Sequence, residues 1–357
     1  MAKRPAKTKR SARPAKKMPM DIMAILSAKG NEIGAATIKF IERRPNTLLR
    51  KMMLDYPLRG GKHLRSVLCA GACKAFGGDT KKAMNTNIAL ELFQHWILIH
   101  DDIEDYSEER RGRPALHRIY GMPLANNAGD SLHILMWDAM FENRRTLGND
   151  TAFKLLKEFN VMADRCTQGQ HIELEWVTFR RWNMSESDYY EMCKGKTCGY
   201  TFITPFRLGA IIAGVPDYKL KAFSGIGDNI GLAFQIEDDI LNLVGEEGKY
   251  GKEIAGDIWE GKRTLILIHL MKNCSPSEKK NVLSIMNKDR EKKTDKEVKY
   301  VLSLMRKYGS IAYAKEKAIA FAKKARRDFD RDYAFLKDSE SKRFIEALFD
   351  FVINRDM

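Results

Sequence analysis

An acidic cluster ends a strongly apolar segment of the chain. Asp101, Asp102 and Asp105 belong to the run Asp-Asp-Ile-Glu-Asp, which follows apolar residues that recur every three or four positions from Ile88. Asp101 and Asp105 are four residues apart and therefore share one face of a helix. Carboxylates this close repel each other unless a cation lies between them, and their oxygens suit Mg²⁺. The cluster predicts a magnesium site, since acids at an exposed helix C-terminus would oppose the helix dipole.

A second acidic cluster lies far downstream and also ends an apolar helical segment. The residues from Phe234 to Asn242 read Phe-Gln-Ile-Glu-Asp-Asp-Ile-Leu-Asn. Asp238 and Asn242 again share a helical face. The glycines before this cluster allow close helix packing. Two such helix ends predict two facing walls of one metal-filled cavity.

Basic residues supply groups that could bind an anion. Lys62 and Arg65 follow a glycine turn that enters a helix, and their spacing places both on one face of it. Helix N-termini with nearby cations bind phosphate well. Arg110-Arg111-Gly112 follows the first acidic cluster by one turn, and further basic motifs are Lys196-Thr197 and Gly261-Lys262-Arg263-Thr264. A single basic residue is usually a solvated surface charge. Together with two carboxylate pairs, these residues predict a polyanion bridged to the protein by metal.

A mainly helical body must position these motifs. From about residue 21 the apolar residues recur at helical spacing, strand alternation is rare, and no linker divides the body. With 44% hydrophobic residues, the 357-residue chain can bury a sizeable core. We expect residues 20–357 to form a single all-α domain, a large helical bundle with a hydrophobic groove between helices.

The N-terminus differs from this body. Residues 1–19 are rich in Lys, Arg, Ala and Pro without hydrophobic periodicity, which predicts a disordered basic tail. The net charge of +15 suits anionic substrates, an anionic membrane or nucleic acid equally well. For the tail, a solubilising extension and peripheral contact with an anionic membrane stay open, and nucleic acid is the less favoured partner.

The six cysteines show no Cys-x-x-Cys pair and no zinc-site spacing, which predicts free thiols in a reducing cytoplasm. No apolar run is long enough to span a bilayer or to form a signal-peptide core. A cytoplasmic location is therefore expected.

In order and spacing, these motifs resemble the trans-isoprenyl diphosphate synthases, most of all the geranylgeranyl and farnesyl diphosphate synthases. The resemblance runs from about residue 40 to the C-terminus, and it rests on the stretches Gly60–Arg65, Asp101–Pro114, Gly129-Asp130, Lys196-Thr197, Gly231–Leu243 and Gly256–Thr264. It implies the isoprenoid-synthase helical fold, a homodimer, and a prenyltransferase that condenses isopentenyl diphosphate with an allylic diphosphate. Mg²⁺-assisted ionisation, condensation and proton elimination would be the steps.

The resemblance also implies residue roles. Asp101 and Asp105 would bind Mg²⁺ with Asp102 in support, and Asp238 would bind a further Mg²⁺ with Asp239 beside it. The allylic diphosphate would contact Arg110, Lys196 and Lys262. Isopentenyl diphosphate would contact Lys62, Arg65, Gln94 and Arg111. Phe234, Thr197 and Gln235 would line the substrate site, the last two near the developing carbocation.

Two positions depart from the family pattern. Many relatives have His where this chain aligns Gln94, and His95 is adjacent. The second acidic motif ends in Asn242 instead of Asp, which offers an oxygen but no charge. Some geranylgeranyl-producing relatives share this variant.

Product length is predicted from the residues that precede Asp101. In this family, an aromatic residue five places before the first Asp, without one four places before it, accompanies geranylgeranyl products. Trp96 and Ile97 match that pattern, and Phe93 lies one turn further down. We therefore expect mainly the twenty-carbon product, with the fifteen-carbon farnesyl product as runner-up.

Two other functions agree with part of this pattern. A terpene cyclase of the same fold would use a metal triad at the spacing of Asp238, Asn242 and Glu246, but it needs no second diphosphate site. The basic residues assigned to that second site argue against it. A non-catalytic partner subunit tends to lose an acidic motif, whereas this chain keeps both.

Overall fold

Helices make up nearly all of the structure, a computed structural model that describes residues 20–245 and 254–354. The all-α prediction is confirmed, because the only strands in these residues are the short antiparallel pair β1 (Glu109–Arg110) and β2 (Arg113–Pro114). The basic tail of residues 1–19 and Glu246, the third member of the cyclase-type triad, lie outside the described residues.

Sixteen α-helices are present in the described parts of the chain. They are α1 (Ile22–Ile41), α2 (Leu48–Leu58), α3 (Leu64–Ala75), α4 (Met84–Glu104), α5 (Leu116–Tyr120), α6 (Met122–Leu147), α7 (Asn149–Thr178), α8 (Glu186–Cys193), α9 (Thr204–Ile212), α10 (Lys221–Val244), α11 (Gly256–Glu260), α12 (Leu265–Asn273), α13 (Pro276–Met286), α14 (Asp295–Lys307), α15 (Ser310–Asp332) and α16 (Glu340–Ile353). A π-helical segment, Lys194–Ile203, joins α8 to α9. None of the described helices is both long and apolar enough to cross a membrane.

The helix that carries the first acidic motif is central to the bundle. The apolar spacing from Ile88 predicts it, and α4 spans Met84–Glu104 as expected. It packs along α6 and also contacts α1 and α3, so its buried residues lie on more than one face. The helix with the second motif, α10, packs along α15 and the π-helical segment. The two acidic motifs are thus held by two of the best-packed helices of the fold.

Three apolar clusters hold the bundle together. One surrounds α4, α6 and α7, a second joins α10 to α12–α14, and a third joins α1 and α3 to α15 and α16. Burial of this apolar surface is the main stabilising contribution. Helix ends are fixed locally, as at Ser185, Ser275 and Thr294, whose side chains form capping boxes.

Close backbone contact fixes the π-helical segment against α7. A Cβ atom added at Gly169 would lie 2.1 Å from the backbone nitrogen of Lys196, so no side chain fits at that position. Gly195 faces it, since a Cβ there would lie 3.0 Å from Gly169 Cα. This crossing presents the Lys196-Thr197 motif to the interior, and π-helical turns of this kind are frequent at functional sites.

Replacing Gly169 by alanine should therefore destabilise the protein by about 1–3 kcal/mol, because the backbones must move apart to admit the methyl group. Urea unfolding measures this change. Gly225→Ala is the matched control, since Gly225 is also helical but a Cβ there meets nothing within 4 Å. That variant should gain roughly 0.5–1 kcal/mol from helix propensity. Equal free energies of unfolding for the two variants would contradict the close-contact argument.

Candidate active site

A cavity of about 470 Å³ opens between α4, α7, the π-helical segment and α10. Asp101 lines it from α4, and Asp238 and Asp239 line it from α10. The fold therefore brings both acidic motifs, separated by more than a hundred residues in sequence, to one cavity.

Most of the residues singled out in the sequence line this cavity. They are Arg65, Gln94, Trp96, Ile97, Asp101, Arg110, Lys196, Thr197, Phe234, Gln235, Asp238, Asp239, Asn242 and Lys262. Five others do not form its wall, namely Lys62, Phe93, Asp102, Asp105 and Arg111. Each of these five occupies a different position in the fold.

Two lysines pair with the carboxylates of the first motif. Lys196 Nζ lies 3.4 Å from Asp101 Oδ1 and also contacts Glu173 on α7. Lys262 Nζ lies 2.6 Å from Asp105 Oδ2. Burial alone would lower both lysine pKa values, but the neighbouring carboxylates outweigh it and raise them. Both lysines therefore stay charged at neutral pH.

Asp105 lies just after α4 and is the more deeply buried of the two acids. Burial raises its pKa to about 7, although the charge of Lys262 opposes that rise. The carboxylate therefore depends on a nearby cation to stay ionised.

Asp102 faces away from the cavity and holds Arg110. Its side chain is fully buried, where Oδ2 accepts a hydrogen bond of 2.5 Å from the Tyr56 hydroxyl. Arg110 Nε donates to both of its carboxylate oxygens, at 3.0 and 2.9 Å. Arg110 Nη2 also lies 3.4 Å from Asp101 Oδ2, so the guanidinium links the buried acid to the cavity. Tyr56 was not identified from the sequence.

Arg111 occupies the tight turn of the β1–β2 hairpin, with φ at +54°. Its Nη1 donates to the Tyr56 carbonyl at 3.0 Å and to that of Gly60. Arg59 holds the same hairpin, donating to the carbonyl of Arg110 at 2.7 Å. The arginine pair was expected one turn after the acidic cluster, but a hairpin fixed by backbone contacts carries it instead.

Lys62 and Arg65 differ from the expectation in one respect. The helix begins at Leu64, so Lys62 lies exposed in the turn before it and does not share a helical face with Arg65. The Arg65 guanidinium lies 4.1 Å from the ring centre of Tyr200, and its Nη2 donates to Thr201 Oγ1 at 3.0 Å.

The structure separates Gln94 from its neighbour His95. Gln94 lines the cavity, and its buried Oε1 has no hydrogen-bond partner in the described part of the protein. His95 is 2% exposed on another face of α4, and burial lowers its pKa to about 3. A neutral, buried imidazole cannot contact a substrate in the cavity, which favours Gln94 for that position.

The wall formed by α10 carries a hydrogen-bond chain. Thr197 Oγ1 donates to Gln235 Oε1 at 2.7 Å, and Gln235 Nε2 donates to Asp239 Oδ1 at 2.8 Å. Tyr189, which the sequence did not single out, donates its hydroxyl to Asp239 Oδ2 at 2.7 Å. Burial raises the pKa of Asp239 to about 7. Asp238 is half-buried and faces the cavity, so it is the more accessible acid of the pair.

Asn242 has a structural contact that its motif position did not predict. Its Oδ1 accepts a hydrogen bond of 3.1 Å from the backbone nitrogen of Asp257, and its own carbonyl accepts one of 2.7 Å from Ala255. The side-chain oxygen considered as a weak metal ligand is therefore used to hold the start of α11.

Aromatic side chains pack around Trp96, which lines the cavity. Trp96 stacks on His133 of α6 with ring centres 4.2 Å apart, and Trp137 Nε1 donates to His133 Nε2 at 3.0 Å. Phe93 is fully buried beneath Trp96, at 5.3 Å between ring centres. The predicted order of Trp96 above Phe93 agrees with the structure. His133 and Trp137 were missed, although their spacing of four on α6 indicates a shared face.

Carboxylates on two walls of the cavity offer the hard oxygen donors that divalent cations prefer. Within residues 20–245 and 254–354, however, no three His, Cys, Asp or Glu side chains come together closely enough to hold a metal ion by themselves. The donor set fits a cation whose remaining ligands come from a bound anion and water, as is usual for Mg²⁺ at phosphate sites.

Comparison with known proteins identifies the family. The polyprenyl synthetase family model matches residues 46–305. The geranylgeranyl diphosphate synthase of Saccharolobus solfataricus is 34% identical over 263 residues, which cover 71% of this chain and 78% of that protein.

Solved structures agree with this match. The geranylgeranyl pyrophosphate synthetase of Pyrococcus horikoshii is 32% identical with a TM-score of 0.82, covering 94% of this chain and 99% of its own. A polyprenyl synthase of Caulobacter crescentus, in complex with calcium and isoprenyl diphosphate, is 25% identical with a TM-score of 0.82, covering 95% and 99%. The chain therefore belongs to the polyprenyl synthetase family and is a chain-elongating prenyltransferase.

Proposed function

We propose that this enzyme condenses isopentenyl diphosphate with an allylic diphosphate in a Mg²⁺-dependent reaction and releases mainly geranylgeranyl diphosphate. One observation carries the proposal: both acidic motifs and the cations Arg110, Lys196 and Lys262 meet in one cavity, whose wall also includes Trp96 from an aromatic cluster. The names of the relatives from Saccharolobus and Pyrococcus support the same product class.

In this proposal Asp101 and Asp238, which line the cavity, and Asp105, whose partner Lys262 lines it, would hold Mg²⁺ together with the allylic diphosphate. Bound Mg²⁺ neutralises the negative charge that develops on the departing diphosphate. The Caulobacter relative binds calcium and isoprenyl diphosphate, which supports a divalent cation at this place. Asp102 and Asp239 act through a neighbouring side chain: Asp102 positions Arg110, and Asp239 accepts a hydrogen bond that holds Gln235.

Three cations bind the allylic diphosphate oxygens. Lys196 and Lys262 have raised pKa values, so they bring full charges to the departing group. Asp102 holds Arg110 at the cavity, and its charge raises the arginine pKa against the effect of burial. Fixed cations in a water-poor site stabilise the leaving group far more than solvated ones would.

The second substrate, isopentenyl diphosphate, binds to Lys62, Arg65, Gln94 and Arg111. Gln94 Oε1 has no hydrogen-bond partner within the described structure, which supports a binding role for this amide, with its NH₂ group as the donor to phosphate. Arg111, fixed by backbone carbonyls, has a lowered pKa of about 10 because of burial and the nearby charge of Arg110. It still carries its charge at neutral pH.

The reaction breaks the allylic C–O bond, forms a C–C bond to the isopentenyl double bond and releases a proton. Thr197 and Gln235 lie where neutral dipoles can stabilise the intermediate cation without reacting with it. Phe234 and the aromatic residues around Trp96 exclude water, which would otherwise trap the cation. The released diphosphate accepts the proton, since no protein base is required.

Product analysis tests this function. Purified full-length chain with Mg²⁺, labelled isopentenyl diphosphate and farnesyl diphosphate should yield geranylgeranyl diphosphate, and EDTA should abolish turnover. A cyclase would instead convert the allylic diphosphate alone into a hydrocarbon or alcohol. A folded protein without turnover on dimethylallyl, geranyl or farnesyl diphosphate would identify a non-catalytic subunit.

We also propose a homodimer formed through α6 and α7. Ile134, Phe141 and Phe153 on these helices are 58%, 60% and 70% exposed, an amount of exposed apolar surface that suits an interface. Light scattering should give the mass of two chains, and Phe153→Asp should shift it toward one. A monomer mass for the wild type at working concentration would contradict this proposal.

The basic tail of residues 1–19 contains none of the proposed site residues, so its deletion should leave solution turnover unchanged. If the tail contacts membranes, vesicles with anionic lipid should retain the full chain more than the truncated one, and salt should weaken that retention. Equal retention of both forms would exclude membrane contact by the tail and leave its role as a solubilising extension.

A further inference from the structure

A second cavity, of about 340 Å³, lies behind the loop that carries Lys262. It opens between the segment before α8 and the helices α12 and α13. Lys262 lines the active-site cavity, whereas the next residue, Arg263, lines this second one. The walls of the second cavity combine apolar and cationic side chains, and nothing in the proposed reaction uses them.

Arg263 is a buried charge without a counterion. Its side chain is 2% exposed, and it forms no ion pair within the described parts of the chain. Nη1 donates to the Gly261 carbonyl and Nε to the Arg181 carbonyl at 3.3 Å, while Nη2 has no hydrogen-bond partner. The guanidinium lies 4.2 Å from the ring centre of Trp182. An unpaired buried charge is costly, so a matching anion would be bound favourably.

The surroundings of Arg263 are also positive. Lys293, 6% exposed, donates to the Trp259 carbonyl at 2.6 Å. Burial, and then the charges of Arg263 and Arg290, lower the pKa of Lys293 to about 8. The neighbouring acid, Glu260, is already paired with Lys262 at 2.8 Å and lies 3.7 Å from Arg290.

The mouth and walls of the cavity indicate the kind of ligand. Lys272 and Lys279 are exposed at its rim, and Trp182, Met184 and Met271 form apolar walls. One acid, Glu186, also lines the cavity. Its carboxylate accepts hydrogen bonds from the hydroxyls of Tyr313 at 2.7 Å and Tyr190 at 3.2 Å, so it is engaged elsewhere.

We propose that this second cavity binds an amphiphilic organic anion, with a phosphate head on Arg263 and a short apolar body along Trp182 and Met271. The volume lies in the range of small-ligand sites. Because Arg263 holds the Gly261 carbonyl and is bonded directly to Lys262, an anion that reorients the guanidinium also displaces the loop that places Lys262 in the active site. The occupant thereby regulates affinity for the allylic substrate.

Octyl phosphate, which is not a substrate, tests the site in the full-length protein labelled with 5-fluorotryptophan. The ¹⁹F resonance of Trp182, assigned with Trp182→Phe, should shift saturably, because this ring lines the second cavity and not the active site. Arg263→Met should weaken binding by at least about tenfold. Lys279→Glu should weaken it by roughly two- to fivefold, whereas Lys280→Glu, its neighbour on α13 outside the cavity, should not.

The proposed site is wrong if the ¹⁹F resonance of Trp182 does not respond to octyl phosphate. It is also wrong if Lys279→Glu, Lys280→Glu and wild type bind octyl phosphate with equal affinity. The comparison of these two lysine variants remains valid even if Arg263→Met does not fold. An affinity for inorganic phosphate or for octanol equal to that for octyl phosphate would contradict an amphiphilic ligand.

Kinetics test the coupling of this cavity to the active site. Octyl phosphate should raise the KM of the allylic substrate in wild type and Lys280→Glu more than in Lys279→Glu. An equal effect in all three would assign it to the active site.

Discussion

Replacing Asp101 by asparagine should lower turnover by at least about 100-fold and leave the fold intact. The asparagine amide removes one negative charge from the proposed Mg²⁺ site. It also breaks the ion pair in which Asp101 Oδ1 lies 3.4 Å from Lys196 Nζ. Steady-state kinetics with saturating Mg²⁺ measures the loss, and circular dichroism with thermal unfolding checks the fold. Asp238→Asn should behave in the same way, because it changes the opposite wall of the cavity.

Asp330→Asn is the matched control for this prediction. Asp330 is also an aspartate on a helix with one arginine partner, Arg326 at 2.9 Å, but it lies on α15 away from the cavity. Its turnover should equal that of wild type. Full activity of Asp101→Asn, or wild-type turnover in EDTA, would remove the metal assignment.

Replacing Trp96 by alanine should extend the products beyond twenty carbons. The indole lines the cavity. On the proposed function, a growing chain stops at this ring when no further isoprene unit fits without overpacking. Removing the ring frees a volume of the order of one isoprene unit. Phe93→Ala, combined with Trp96→Ala, should extend the products further, because Phe93 lies directly beneath Trp96.

Chromatography of the radiolabelled products measures this effect. His133→Ala should shift the distribution in the same direction but less, because it removes the ring that stacks on Trp96. His269→Ala is its control, since His269 stacks in the same way on Tyr313, also at 4.2 Å, but does not line the active-site cavity. An unchanged distribution in Trp96→Ala would show that chain length is set elsewhere.

The features that local sequence determines were predictable. Asp101 and Asp105 share a face because helical periodicity fixes it, and the same rule places Phe93 next to Trp96. The partners of these residues were not predictable. Tyr56 reaches Asp102 across 46 residues of sequence, and only the packing of α2 against the body brings the two together.

Other contacts depend on backbone geometry that composition does not encode. The left-handed turn at Arg111 and the π-helical segment around Lys196 are set by contacts with distant carbonyls and glycines. Arg263 belongs to a motif whose basic residues would each ordinarily be solvated, yet it is buried. Burial of a charged side chain depends on the loops that cover it, and a sequence pattern does not report them.

The lysine–carboxylate pairs couple the binding of metal to the binding of the allylic substrate. Without ligand, Asp101 and Asp105 are balanced by Lys196 and Lys262, so a cation arriving alone must displace an ammonium group. On the proposed function, a diphosphate draws those ammonium groups away and exposes the carboxylates. Metal and substrate then strengthen each other's binding by the same factor, as thermodynamic linkage requires. Without its allylic substrate, the enzyme would thus bind little Mg²⁺ even when the magnesium concentration in the cell changes. Its occupancy by Mg²⁺ would instead rise with the concentration of the allylic substrate.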